Sequence, residues 1–201
     1  MDLTHTGPVV ILFGGVHGVG KSTLLSGAEY PGDDVAFFDP GPLFIEHLYR
    51  RRDKSSSEIE RMVSDELIAL GRGHPLVVSN WHWAVWTRNG YVPQLAAEEF
   101  LRFLTRSRPC CLYLVEVTAP AELVLARRLR DAPIRKRKLD LACVREEAAM
   151  SDAFRYRCFT AAAEVCPAQF VDIINVELAE GRRKTRTLFN AAYEIGRHHR
   201  Q

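Results

Sequence analysis

Several signatures that would each name a class of protein are missing from this 201-residue chain. It has no Cys-x-x-Cys pair and no cysteine or histidine spacing of a zinc module; Cys110, Cys111, Cys143, Cys158 and Cys166 stand apart from any such pattern. An odd number of cysteines without a secretory leader reads as reduced thiols in a cytoplasmic protein. No basic segment precedes the first apolar run, 9–13, and that run stops at Gly14-Gly15. It is too short for a signal-peptide core or a membrane span, so no membrane association is expected. The net charge is only +2, which gives no general affinity for nucleic acid, and none is expected as a partner. Internal repeats, low-complexity tracts and linkers are absent too. With 47% apolar residues, the chain reads as one domain, 1–201, around one well-filled core.

Lysine is scarce beside arginine, which clusters at Arg50-Arg51-Arg52, at Arg127-Arg128-Leu129-Arg130 and again in Arg135-Lys136-Arg137-Lys138. A guanidinium donates two parallel hydrogen bonds to phosphate oxygens, although any one of these residues also makes an ordinary solvated surface.

Short β-branched runs alternate with segments of helical spacing. Strands are predicted over 9–13, 35–38, 76–78, 112–117 and 170–174. Helices are predicted over 21–28, 43–51, 95–105, 120–130, 140–165 and 186–197. Another starts at the Ser55–Glu58 cap and is ended by Gly71 and Gly73. The stretch 80–94, with Trp81, Trp83 and Trp86, shows no period and reads as loop. Strands that are near-continuous apolar runs belong to a parallel sheet covered on both faces. The expected fold is therefore α/β: a five-stranded parallel sheet, helices on both faces, and a short basic lid at about 131–139.

The strongest signal lies between the first strand and the first helix. Gly15-Val16-His17-Gly18-Val19-Gly20-Lys21-Ser22 fits G-x-x-x-x-G-K-[ST] in the strand-to-helix context that this phosphate-binding loop requires. Its glycines let the backbone curl so that N–H groups face phosphate oxygens, and the following helix adds the positive end of its dipole. Lys21 is placed to reach the β- and γ-phosphates, and the Ser22 hydroxyl to ligate Mg²⁺. The site calls for ATP with Mg²⁺. It is not a GTPase site, since no Asn-Lys-x-Asp occurs, and no strand ends in the Asp-Glu of the large ATP-driven machines.

Beyond this loop the chain resembles the archaeal-type adenylate kinases. The run from Gly15 to Thr23 is similar to the family's Gly-Val-Pro-Gly-Val-Gly-Lys-Thr/Ser-Thr, with His17 in place of proline. Asn80-Trp81-His82 followed by Thr87-Arg88-Asn89-Gly90-Tyr91-Val92-Pro93 resembles its Asp-Thr-His and Thr-Pro-x-Gly-Tyr-Leu-Pro at the same separation. Arg135-x-Arg137 matches the lid's Arg-x-Arg, and 171–177 is similar to the last strand with its Asn-x-Glu. The likeness runs from about 9 to 177 and is weakest over 39–73, the expected acceptor-binding region. Two positions depart from it: Asn80 replaces the aspartate that holds magnesium through water, and Gln94 replaces a glycine.

The resemblance implies a phosphotransferase that moves the γ-phosphate of ATP to a nucleoside monophosphate, AMP above all. It implies ATP contacts from Gly15, Val16, His17, Gly18, Val19, Gly20, Lys21, Ser22 and Thr23, with Arg127 or Arg128 along the base or capping its helix. Arg135 and Arg137 would close over the moving phosphoryl group beside Lys21. On the acceptor side stand Gly41, Arg52, His82, Arg88 and Tyr91, with Arg61 in reserve. Mg²⁺ would be held by Ser22 and, through water, by Asn80. The three tryptophans either pack the core and rim or reshape the acceptor pocket. Archaeal adenylate kinases form trimers, so a homo-oligomer is allowed. Two other readings stay open: a P-loop kinase acting on another nucleotide, a nucleoside or a small metabolite, and a nucleotide-binding regulator with slow hydrolysis, which the loss of the carboxylate at Asn80 would favour.

Overall fold

The computed structural model describes residues 7–132 and 138–200. The first strand, β1 (Val9–Gly14), leads through the glycine-rich loop into α1 (Lys21–Ser26). Strand β2 (Val35–Phe38) is followed by α2 (Gly41–Phe44), which continues without a break as a π-helical stretch, Ile45–Arg51. Next come α3 (Ser56–Gly73), β3 (Leu76–Asn80), a hairpin of β4 (Val85–Thr87) and β5 (Gly90–Val92), and α4 (Ala97–Ser107). Strand β6 (Cys111–Thr118), α5 (Ala121–Asp131), α6 (Leu141–Ala163), β7 (Ala168–Ile174) and α7 (Leu178–His198) complete the order.

Five strands form one sheet in the order β2-β3-β1-β6-β7, every neighbouring pair parallel. The three central strands β3, β1 and β6 are buried almost throughout, which is why they read as unbroken apolar runs. Alternate residues of β1 feed opposite faces. Ile11 and Phe13 pack with Leu24 and Phe189, under α1 and α7. Val10 and Leu12 pack with Leu67, Phe103 and Phe154, under α3, α4 and α6.

Local chemistry sets the element ends. Ser55 caps α3 in a reciprocal box: its hydroxyl accepts from the Glu58 amide, and the Glu58 carboxylate accepts from the Ser55 amide at 2.8 Å. Gly71 and Gly73 do not end that helix. Gly71 is inside it because Pro8 packs there, 3.1 Å from where a Cβ would stand, and the helix stops at His74, held extended ahead of Pro75. Helix α7 starts well before the expected 186. Its first two turns bury only the small Gly181 and Thr185, so they leave no apolar stripe to read. The expected tryptophan loop contains a hairpin whose strands, three residues each, are too short to show a period. All five cysteines are free thiols. No helix among the described residues is long and apolar enough to cross a membrane.

Candidate functional site

Parallel strands all present their carboxyl ends on one side, and ligands of such sheets bind there, where neighbouring connections depart in opposite directions. The phosphate loop leaves β1 at that point, between β3 and β6. A cleft of about 930 Å³ opens over it, lined by the loop from Val16 to Thr23 except Val19, by Asp39, Gly41, Asn80 and His82 on one side, and by Arg127, Arg130, Asp131 and Asn175 on the other.

The loop has the backbone that its glycines allow. Gly15, Gly18 and Gly20 lie at φ of 138°, 83° and 100°, a region costly for any residue with a Cβ. Gly20 precedes α1 with no side-chain cap, so the first N–H groups of the helix are available to an anion. Lys21 is 6% exposed, and its Nζ donates to the carbonyls of Gly15 and, at 3.4 Å, Val16. Ser22 and Thr23 are exposed on the cleft wall.

Other elements tie the loop down. Arg127 donates to the Val19 carbonyl at 2.8 Å and to the Asn175 carbonyl at 2.9 Å, while the Asn175 amide donates to Val19 at 2.8 Å. Burial, reinforced by Arg130, pulls the Arg127 pKa down. Arg128 is not beside a nucleotide base. It is 1% exposed and bonded to Glu147 and to the His17 carbonyl, each at 2.8 Å. The His17 amide in turn donates to Glu147 at 2.8 Å; the resembled family has proline there, which carries no N–H.

On the facing wall, Asp39 ends β2. One of its oxygens accepts from the Gly41 amide at 2.9 Å and the other from the Asn80 side-chain amide at 2.9 Å. A carboxylate only accepts, so this bond fixes the Asn80 amide: its nitrogen faces Asp39. Asn80 Oδ1 is left buried without a hydrogen-bond partner among the described residues. The His82 ring lies over the His17 ring, centroids 4.3 Å apart, and the His82 amide donates to buried Gln94 at 2.6 Å. Gln94 thus replaces a glycine in order to hold the turn after β3. Trp81 and Trp83 are core residues, 2% and 1% exposed; Trp86 is 47% exposed and packs edge-on to Tyr91.

The cleft therefore brings together most of the expected phosphate-loop residues with Arg127, Gly41, His82 and Asn80, but not every candidate. Arg52, left-handed at φ 56°, closes the π-helical stretch and is exposed away from the cleft. Arg88 sits in the hairpin turn and Arg61 on the outer face of α3, both exposed. Tyr91 does not line the cleft either; burial, followed by Glu147 and Glu146, raises its pKa to about 12. Arg135 and Arg137 lie outside the described residues. Lys138, just after them, places its ammonium 3.1 Å from the centre of the Trp86 ring.

Three acids escaped the sequence reading. Asp39 was legible in principle, as a carboxylate directly after a parallel strand, where ligands bind. Glu147 sits mid-helix and carries no local signal. Glu116 is embedded in an apolar strand, 3% exposed, and accepts from the Ser151 hydroxyl at 3.0 Å. Burial pushes its carboxyl up to about 7 against the opposing pull of Arg155, the Ser151 hydrogen bond and Lys21.

Together, the sheet order and the loop define a P-loop α/β fold. No family model and no curated relative matches the chain. Among solved structures it is similar to the shikimate kinase of Bacteroides thetaiotaomicron, at 16% identity and a TM-score of 0.50 over 92% of this chain and 98% of that one. It is similar to the Acinetobacter baumannii shikimate kinase in complex with shikimate, at 17% and 0.51 over 93% of each. The Deinococcus radiodurans tunicamycin resistance protein matches at 13% and 0.51, over 93% of this chain and 94% of that one. At these identities the likeness is one of fold. It is the fold of P-loop kinases, and it does not single out the adenylate kinases.

Proposed function

We propose that the protein is an ATP-dependent phosphotransferase that moves the γ-phosphate of Mg·ATP to a hydroxyl of a small acceptor. The observation that carries this reading is Asp39: a carboxylate held by two hydrogen bonds, on the wall facing the phosphate loop in the same cleft. Phosphoryl transfer needs the two substrates in line, water excluded and positive charge around the moving group. Lys21 and the loop amides supply charge and donors. Asp39 accepts the proton of the attacking hydroxyl as the new P–O bond forms and ADP leaves. Magnesium arrives with the nucleotide, held by phosphate oxygens and the Ser22 hydroxyl, as this ion binds through few protein oxygens. The buried Asn80 Oδ1 is an acceptor suited to one of its waters.

AMP, the acceptor that the adenylate-kinase resemblance implies, is the second reading; the cleft positions of Asn80 and His82 in the shared motif favour it. A nucleoside monophosphate brings a dianion, which needs cations on the acceptor wall. Arg52 and Arg88 are not on that wall, and Asp39, which would repel a phosphate, is. A neutral hydroxyl-bearing metabolite fits better. The neighbouring shikimate kinases carry such an acceptor in their name, and hydroxylated ring acids join the panel on that ground.

The test is a labelled-ATP transfer assay over nucleoside monophosphates, free nucleosides, polyols and hydroxy acids. Transfer to a hydroxyl acceptor is expected. Asp39→Asn should lower it about 10²–10⁴-fold, the contribution of a positioned general base. Transfer confined to AMP, and indifferent to Asp39→Asn, would overturn the assignment.

A further inference from the structure

Glycine-rich loops are costly to order, since each fixed backbone residue loses about 1–2 kcal/mol of conformational entropy. Inside this loop the one backbone bond is from the Val19 amide to the Val16 carbonyl, a long 3.4 Å. Its shape must therefore come from outside. Arg127 and Asn175 hold the far end through Val19. The middle is held at His17, by a device made of two buried charges.

The His17 N–H donates to one oxygen of Glu147, the Arg128 Nε–H donates to the His17 carbonyl, and Arg128 Nη2 closes the ring on the other Glu147 oxygen; all three distances are 2.8 Å. Arg128 and Glu147 expose 1% and 7% of their side chains, and neither lines the cleft. A buried ion pair contributes little net stability, because desolvation offsets the attraction. This one grips two successive peptide groups of the loop and adds no net charge beside the triphosphate. Its members come from α5 and α6, the helices on either side of 133–137.

We propose that Arg128 and Glu147 are positioning residues that hold the phosphate loop ready for nucleotide, so that Mg·ATP affinity depends on a pair that does not touch it. The inference rests on the phosphate-loop reading of the site, but not on the identity of the acceptor. Charge makes its sign diagnostic. Removing an acid from the neighbourhood of a polyanion should by electrostatics alone tighten ATP binding. Weaker binding after Glu147 is removed therefore reports lost positioning.

The test uses the double variant Arg128→Leu/Glu147→Leu, which exchanges the pair for apolar side chains with no lone charge left behind. Three quantities are measured: the melting temperature, the affinity for a non-hydrolysable Mg·ATP analogue by calorimetry, and amide exchange across the loop. We expect an unchanged or raised melting temperature. Affinity should fall about tenfold or more, the equivalent of one lost buried hydrogen bond, with faster exchange at residue 17. Wild-type affinity and protection in the folded double variant would overturn the proposal. If that variant does not fold, the single variants decide. Glu147→Gln keeps an acceptor for the His17 N–H and should bind the analogue more tightly than Glu147→Ala, and equal affinities would overturn the idea. Absence of binding by the wild type would instead overturn the phosphate-loop reading, and the clamp with it.

Discussion

Glu116 makes the stability of this protein depend on pH in a direction opposite to that of most carboxylates. Its carboxyl lies in β6, 3% exposed, and titrates near 7 in place of the ordinary 4.5, chiefly because burial penalises the charged form. The folded state thus binds this proton more tightly than the unfolded chain. That contribution is complete below the unfolded value of about 4.5 and is lost as pH rises through about 7. The shift corresponds to about 3 kcal/mol, an order-of-magnitude figure at 1.36 kcal/mol per unit. Glu116→Gln keeps an oxygen for the Ser151 hydroxyl and removes the titration. Wild type and variant should therefore melt together at about pH 5 and separate by about 6–12 °C at pH 8.5, the variant higher, given the 2–4 °C per kcal/mol typical of this chain length. Scanning calorimetry of the two proteins at both pH values checks it. An equal gap at pH 5 and 8.5 would refute the reasoning, for it would mean that Arg155 and Ser151 outweigh burial and the carboxyl is ionised throughout.

Lys21→Ala should abolish phosphoryl transfer while leaving the far-UV spectrum and melting temperature close to wild type; turnover at the normal rate would remove Lys21 from the site. Asn80→Asp brings a second carboxylate to hydrogen-bond distance of Asp39, and two such groups cannot both ionise without a cation between them. Its activity should fall at low Mg²⁺ and recover on titration, and an unmoved midpoint would separate Asn80 from the metal. Gly14→Ala sets a Cβ 1.9 Å from the Trp83 indole nitrogen, which donates to the Val115 carbonyl at 3.1 Å. Displacing that ring should cost on the order of 1–3 kcal/mol in denaturant unfolding and shift tryptophan fluorescence, and an unperturbed spectrum would contradict it.

The sheet was legible because its central strands are buried on both faces and the phosphate loop punctuates them. What escaped was structure whose cause lies far away in sequence. The opening turns of α7 follow from Gly181 meeting Leu24, and the hairpin after β3 has strands too short for any periodic pattern. The site divides the same way. The loop from Gly15 to Ser22 is local, so spacing alone exposes it. Glu147 acts on a residue 130 positions earlier in the chain, and no local pattern announces such a partner. Arg128 was legible as a functional arginine and wrong in role, because a cluster such as Arg127-Arg128 does not reveal which side chain faces the cleft and which the core. For Arg52 and Arg88 the arginine was visible but its direction was not: a left-handed residue and a hairpin turn point both away from the cleft.

The π-helical stretch at Ile45–Arg51 holds one residue more per turn than a regular helix needs. Ile45, at its start, is part of the cleft wall, while Arg52 and Asp53, at its end, are outside it. Deleting a single residue within the stretch would restore ordinary helical bonding and swing everything after it about 100° around the axis, one residue's rotation. Side chains now turned to solvent would come round toward the acceptor wall, and a relative one residue shorter here could carry a different acceptor specificity without any substitution in the cleft.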